Sequence, residues 1–149
     1  MKTLAINKRA TFDYQLLEEF EAGLVLFGHE VKSVKNGHMS LKGAFVTSKG
    51  EELYLTNSTI SLYKCAGKIA DYDPIRARKL LLRKKQIKYL IGKKQADGLT
   101  LVPISVYNKE GLIKLNFSLA KGKKKIDKRE TIKKRESTRN IERIMKSRR

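Results

Sequence analysis

LTLVPISVYNKEGLIKLNFSLA, residues 99–120, consists of two short apolar runs and a polar connection. In the second run Ile113, Leu115, Phe117 and Leu119 alternate with Lys114, Asn116 and Ser118. A period of two turns one face of a strand to a core and the other to solvent. Asn108-Lys109-Glu110-Gly111 joins the runs as a hairpin connection. Pro103 has no N–H to give to a ladder, so its strand carries an edge or a bulge at that point.

Working outward, AFVTS (44–48), ELYLTN (52–57) and STISLY (58–63) read as further strands, with Lys49-Gly50 turning the first into the second. Leu53 and Leu55 alternate with Tyr54 and Thr56, the pattern of a half-buried strand. MKTLAINKRA opens the chain as an edge strand through Leu4 and Ile6. AGLVLFGHEVKSVKNG (22–37) reads as one long strand, with Val25, Phe27, His29 and Val31 on one face, a bulge at Gly28 and a turn at Asn36-Gly37. MSLKG (39–43) and YKCAGKIADY (63–72) are connections. Five or six strands with one-sided alternation predict a mainly β fold, a small closed antiparallel OB-like barrel with two or three helices. Barrels of that kind often bind oligonucleotides, which is an argument from fold alone.

Two helices are expected. Thr11 or Asp13 caps one through DYQLLEEF (13–20), burying Leu16, Leu17 and Phe20 and exposing Glu18 and Glu19. Asp73-Pro74 starts the other, IRARKLLLRKKQIKYLIGK (75–93), with Leu80, Ile87, Leu90 and Ile91 on one stripe. Arg76, Arg78, Lys79, Arg83, Lys84, Lys85 and Lys88 crowd its other surface.

Charge then narrows the function. The 149 residues carry a net charge of +19, and residues 121–149 hold 14 Lys or Arg against four acids, a local +10. Ile126, Ile132, Ile141, Ile144 and Met145 are the only sizeable apolar residues there. So dense a charge with so little to bury predicts a basic C-terminal tail that is disordered when free and orders on a polyanion. The tail lacks Pro and is rich in Lys, Arg, Glu and Ile, so its ordered state is a helix of roughly 40 Å at about 1.5 Å per residue. The plainer alternative is a solvated tail that serves solubility only. The expected domains are 1–120, the OB-like folded domain, and 121–149, the tail.

A pI near 10.1 points to nucleic acid or an anionic membrane. No apolar run approaches the roughly 20 residues of a spanning helix, and neither end carries a secretory or lipidation signal, so no membrane is expected. Single Cys65 allows no internal disulfide and fits a reducing, cytoplasmic setting. His29 and His38 stand alone without metal-ligand spacing. No Gly-rich phosphate loop or hydrolase motif occurs, and the 15 acids are scattered. The expectation is a binding protein without cofactor or metal, not an enzyme. Asn7, Lys8 and Arg9 suit either solvated strand charges or phosphate and sugar contact. Glu30, an acid inside an apolar stretch of a basic chain, serves either a salt bridge or hydrogen bonds from base or ribose donors.

Four stretches carry a family resemblance: NKRA (7–10), EEFEAGLVLFGHEVKSVKNG (18–37), DPIRARKLLL (73–82) and AKGKKKIDKRETIKKRE (120–136). In order along nearly the whole chain, they resemble SmpB, the SsrA-binding proteins that bind tmRNA in bacterial trans-translation. The resemblance implies an oligonucleotide-binding barrel that holds the tRNA-like domain of tmRNA. It also implies a basic tail that occupies the empty mRNA channel and small-subunit decoding region of a stalled ribosome. Elongation factor Tu is a further implied partner of the delivered complex. The implied RNA-contact residues are Asn7, Lys8, Arg9, Glu30, Lys32, Ser33, Arg76, Arg78, Lys79, Lys121, Lys123 and Lys124. The ribosome-directed tail maps to Asp127, Lys128, Arg129, Lys133, Lys134 and Arg135. Where the family often has an aromatic or His before Asp-Lys-Arg, this chain has Ile126, which offers apolar contact instead of stacking. His29 falls where the family varies and receives no role. On that reading Glu30→Ala is expected to weaken tmRNA binding without unfolding the chain. A non-specific rRNA-binding ribosomal accessory protein is the alternative reading.

Overall fold

The hairpin at 99–120 forms as the alternation requires, and the other strands assemble around it. The computed structural model describes residues 2–63 and 72–123. In chain order its elements are β1 (Lys2–Ile6), α1 (Ala10–Asp13), β2 (Tyr14–Leu24), α2 (Gly28–Lys35), β3 (Met39–Ser40), β4 (Phe45–Lys49), β5 (Glu52–Thr56), β6 (Thr59–Ile60), β7 (Arg78–Leu81), α3 (Lys84–Asp97), β8 (Thr100–Lys109) and β9 (Leu112–Gly122).

Strands β8, β4, β5, β7, β2 and β9 follow one another in hydrogen-bonding order, and β9 pairs back onto β8, so six antiparallel strands close into a ring. The β4–β8 joint is the thinnest, with Val46 opposite Leu101. β1 adds to β8 beyond the ring, and β3 with β6 makes a separate two-stranded ribbon. The closure expected of a small antiparallel barrel is therefore present as a ring, with three helices among the described residues.

Local chemistry accounts for the hairpin. Glu110 and Gly111 adopt positive φ (52° and 81°), as a two-residue turn between twisted strands demands, and glycine takes that conformation without a Cβ penalty. The register slips between Pro103 and Ser105, which is the bulge that Pro103 calls for. Ile113, Leu115, Phe117 and Leu119 point into the core with Leu53, Leu55, Leu101 and Val106.

Three expected elements differ. DYQLLEEF is not a helix: α1 ends at Asp13, and β2 pairs with β9 from Tyr14–Gly122 to Gly23–Lys114. Its Leu, Gln and Glu residues favour helix locally, but nine rungs on the open edge of β9 outweigh a preference of tenths of a kcal/mol per residue. Leu17 is the extra residue where that register shifts between Leu16 and Glu18, which explains its exposure.

Residues 22–37 are not one strand: β2 ends at Leu24 and α2 begins at Gly28, so Gly28 starts a helix and is not a bulge. Glu30, Ser33 and Val34 share the helix face that is buried, a 3.6-residue spacing hidden inside an apparent alternation. Asp73-Pro74 starts a turn, not a helix, with Asp73 Oδ1 accepting from Ile75 N–H at 3.0 Å. Residues 78–81 then form β7, which buries Arg78 and Leu80 on one face, and only afterwards does α3 begin, with Leu90 fully buried. The loop residues 64–71 and the tail from 124 onward, with the expectations placed on them, lie outside the described residues.

β9 continues two residues past the expected boundary at Ala120: Lys121 pairs with Gln15 and Gly122 with Tyr14. Lys123 adds two bonds, from its N–H to Asp13 O at 2.9 Å and from Nζ to Thr11 O at 2.8 Å. A net bond contributes about 0.5–1.5 kcal/mol. A chain ending at Lys123 is therefore expected to melt within a degree or two of the full chain, and one ending at Ala120 several degrees lower. Equal melting of the two truncations would refute a structural role for residues 121–123.

Candidate nucleic-acid interface

Glu30 occupies the first turn of α2, its side chain completely enclosed. Its Oε1 accepts from Phe27 N–H at 2.9 Å and from Arg76 Nη2. Its Oε2 accepts from Arg78 Nη2 at 2.7 Å, from Arg78 Nε at 3.2 Å and from Tyr72 OH at 3.2 Å. Arg78, also fully buried, gives its remaining donors to Ser58 O at 2.8 Å and Pro74 O at 3.0 Å. Burial alone would raise the Glu30 pKa. Hydrogen bonds from Arg76, Phe27 N–H and Arg78 outweigh it, and the carboxyl stays below its ordinary range. Tyr72 moves the other way: burial and the Glu30 charge raise its phenol. Ser33, one turn along α2, donates to Ser61 O at 2.6 Å.

Glu30, Ser33 and Arg78 thus tie α2 to β6 and β7 from inside. Expected as RNA contacts, they lie at 0 %, 1 % and 0 % exposure and brace the segments around them from inside. The cations presented around them are Arg76, Lys32 and Lys79. Arg76 lies over the Phe27 ring, its carbon 4.1 Å from the centroid, and the Lys32 ammonium is 5.8 Å from the Tyr63 ring centroid. Lys79 pairs with Glu52 at 2.8 Å, an exposed bridge that raises the Lys79 pKa.

A second group forms where β1 meets α1. Asn7 is pinned by its Nδ2 donating to Pro103 O at 2.9 Å and its backbone N–H to Ile104 O at 2.7 Å, both at the β8 bulge. The next two residues, Lys8 and Arg9, are exposed; Arg9 reaches Asp13 at 3.1 Å and lies 5.1 Å from the Phe12 ring centroid. Asn7, Lys8 and Arg9 line a cavity of about 720 Å³ whose other walls include Tyr14, Met39, Leu41, Lys42, Leu101 and Val102. Lys121 and Lys123 arrive at the same end through β9 and the Lys123–Thr11 bond.

The β3–β6 ribbon links the two groups: Met39 lines the cavity and pairs with Ile60, whose carbonyl accepts from Tyr72 OH at 2.8 Å. Lys124, Asp127, Lys128, Arg129, Lys133, Lys134 and Arg135 lie outside the described residues.

Sequence reasoning missed Phe27, Ser58 and Tyr72 in this arrangement. Ser58 contributes mainly a backbone carbonyl, which leaves no trace in the residue type, and Tyr72 lies 42 positions from the acid it meets. The one available signal was the acid at 30 in a basic chain. Among the described residues there is no group of three or more His, Cys, Asp or Glu placed to hold a metal, and no helix long and apolar enough to cross a membrane.

The family model described as SmpB protein matches residues 4–147. An SsrA-binding protein of Enterococcus faecalis is 48% identical over 148 residues, covering 99% of this chain and 96% of that protein. One of Neorickettsia sennetsu is 52% identical over 137 residues, covering 91% and 92%. A solved structure described as "tmRNA-SmpB: a journey to the center of the bacterial ribosome" is 45% identical with a TM-score of 0.65, covering 80% of this chain and 84% of that one.

Proposed function

This chain belongs to the SmpB protein family, and from that premise we propose that it binds the tRNA-like domain of tmRNA and delivers it to stalled ribosomes for trans-translation. The observation that carries this reading is a family match running from residue 4 to residue 147, so that folded ring and basic tail fall within one family pattern. The bound complex then rescues the ribosome and tags the incomplete nascent chain. Elongation factor Tu joins as a further partner, and the site of action is the cytoplasm. The chain acts by binding; the reading assigns it no reaction.

The two surfaces divide the work. Structured RNA is recognised by shape, unpaired bases and 2′-hydroxyls, which a rigid strand ring can match. Lys8, Arg9, Lys32, Arg76, Lys79, Lys121, Lys123 and Lys124 serve phosphate contact, while Asn7, Glu30, Ser33 and Arg78 hold that surface in shape. Asp127, Lys128, Arg129, Lys133, Lys134 and Arg135 belong to the part directed at the decoding region and mRNA channel.

Gel shifts under competition test the reading. The full chain is expected to keep labelled tmRNA under a large excess of unrelated tRNA, and to lose affinity about a thousandfold between 50 and 200 mM salt, as about six phosphate contacts require. Displacement by equimolar tRNA would favour the alternative, a ribosomal accessory protein that coats rRNA without specificity. Indifference to salt would contradict phosphate contact altogether.

A further inference from the structure

Phe27 is an apolar residue with 54% of its surface exposed, and it does not hang free. Its N–H donates to Glu30, its ring lies under the Arg76 guanidinium at 4.1 Å, and the His29 ring stacks beside it at 5.7 Å and 29°. His29 in turn meets Tyr72 edge-on, with centroids 4.9 Å apart at 81°, and Tyr72 is anchored to Glu30 and Ile60 O. A continuous line of flat groups therefore runs from Tyr72 through His29 and Phe27 to Arg76. It is braced from beneath by one enclosed carboxylate and presents the Phe27 ring to solvent.

Scattered exposed apolar side chains are ordinary, so exposure alone carries nothing. Three other observations point to an occupant. Among the described residues one carboxylate faces two guanidinium groups, Arg76 and Arg78, and leaves a positive charge beside the ring. Lys32 lies on the same helix and adds another. His29 Nδ1 and Arg76 Nε, on either side of Phe27 in this line, are enclosed polar atoms without a hydrogen-bond partner among the described residues, a condition that calls for an explanation in a folded chain. Aromatic and guanidinium planes amid cations are the surface on which an unpaired base stacks while its phosphates meet the charge.

We infer that Phe27, braced by Arg76 and His29, is a stacking site for one unpaired nucleobase of the bound RNA. The inference rests on the tmRNA-binding reading above and adds to it a base contact where the family resemblance supplies only polar and charged residues. The ring does the work through its π face, so an aliphatic group of similar bulk is not a substitute.

The experiment measures affinity of the full chain, Phe27→Leu and Phe27→Tyr for the transcribed tRNA-like domain of tmRNA, with thermal melts and a salt series on each. Phe27→Leu is expected to bind roughly tenfold more weakly, Phe27→Tyr within about twofold of the parent, and all three to melt together with the same salt slope. Equal affinity of Phe27→Leu and the parent would overturn the inference, and so would a loss of affinity matched by a fall in melting temperature. A changed salt slope would also overturn it, by showing that Arg76 had been displaced from phosphate. Failure of the functional reading shows elsewhere, as loss of tmRNA by the parent chain to unrelated tRNA. In that case the same three proteins are compared on a single-stranded oligoadenylate, where the same tenfold difference is expected and equal binding overturns the stacking site.

Discussion

Glu30→Ala is expected to lower the melting temperature by roughly 10–20 °C. Glu30 and Arg78 are both fully enclosed, and among the described residues Arg78 has no other carboxylate partner. Truncating the acid leaves a guanidinium charge buried and unpaired, and breaking such a pair costs about 3–5 kcal/mol. In a chain of this length a loss of about 1 kcal/mol lowers the melting temperature by roughly 3–5 °C. The substitution also removes the acceptor for Phe27 N–H that starts α2 and the anchor of Tyr72. The sequence alone led to a different expectation, weakened RNA binding without unfolding, and burial reverses it. RNA binding should still fall, as a consequence of a loosened α2–β7 surface. A melting temperature within 2 °C of the parent would refute this account.

The same carboxylate sets an acid limit. Its folded pKa lies below the ordinary value, so Glu30 contributes stability at neutral pH. That contribution is lost as pH falls from about 4.3, the usual range for glutamate, through the lower folded value. Glu30→Gln, which keeps an acceptor but no charge, should start less stable and fall less steeply over that acid interval. Parallel curves for the two proteins would show that Glu30 does not titrate with folding.

A chain ending at Arg129 is expected to bind tmRNA nearly as well as the parent in the presence of competitor, yet to support no tagging on stalled ribosomes. The removed residues 130–149 carry eight Lys or Arg and three Glu, a net +5, and hold only four sizeable apolar side chains, Ile132, Ile141, Ile144 and Met145. β9 ends at Gly122, so the cut leaves every described strand intact. The loss should appear as a shallower salt slope in bulk RNA binding, since fewer phosphates are neutralised. Twenty residues span about 30 Å as a helix. In the proposed function that reach is what the segment brings to the vacant mRNA channel. Gel shifts and a reconstituted tagging assay on the same preparation decide the matter. Equal loss of binding and tagging would merge the two modules into one.

The strands most legible in advance were those whose side chains alternate cleanly: 112–119, where Ile113 to Leu119 face the core, and 52–56, where Leu53 and Leu55 do. Pro103 marked its bulge because proline restricts the backbone and removes a donor, and Asn108-Lys109-Glu110-Gly111 its turn because glycine takes positive φ without a penalty. Three segments misled. Residues 13–20 favour helix by composition, yet from Tyr14 on they lie along β9, about a hundred positions away. Residues 28–35 alternate like a strand yet bury a helical face, and residues 78–81, rich in helix formers, fill a gap between β5 and β2. In each case a long-range partner contributed more than local preference, and no window of ten residues contains that partner.

The candidate site divides the same way. Composition alone determined that the chain carries a large positive charge and where most of it lies, and it pointed to a polyanionic partner, because charge is additive and needs no geometry. Only the tertiary structure decided which charges face solvent. Glu30 and Arg78 stand 48 positions apart and meet at 2.7 Å inside the fold, where desolvation makes their pairing obligatory and sets two expected RNA contacts out of the solvent's reach.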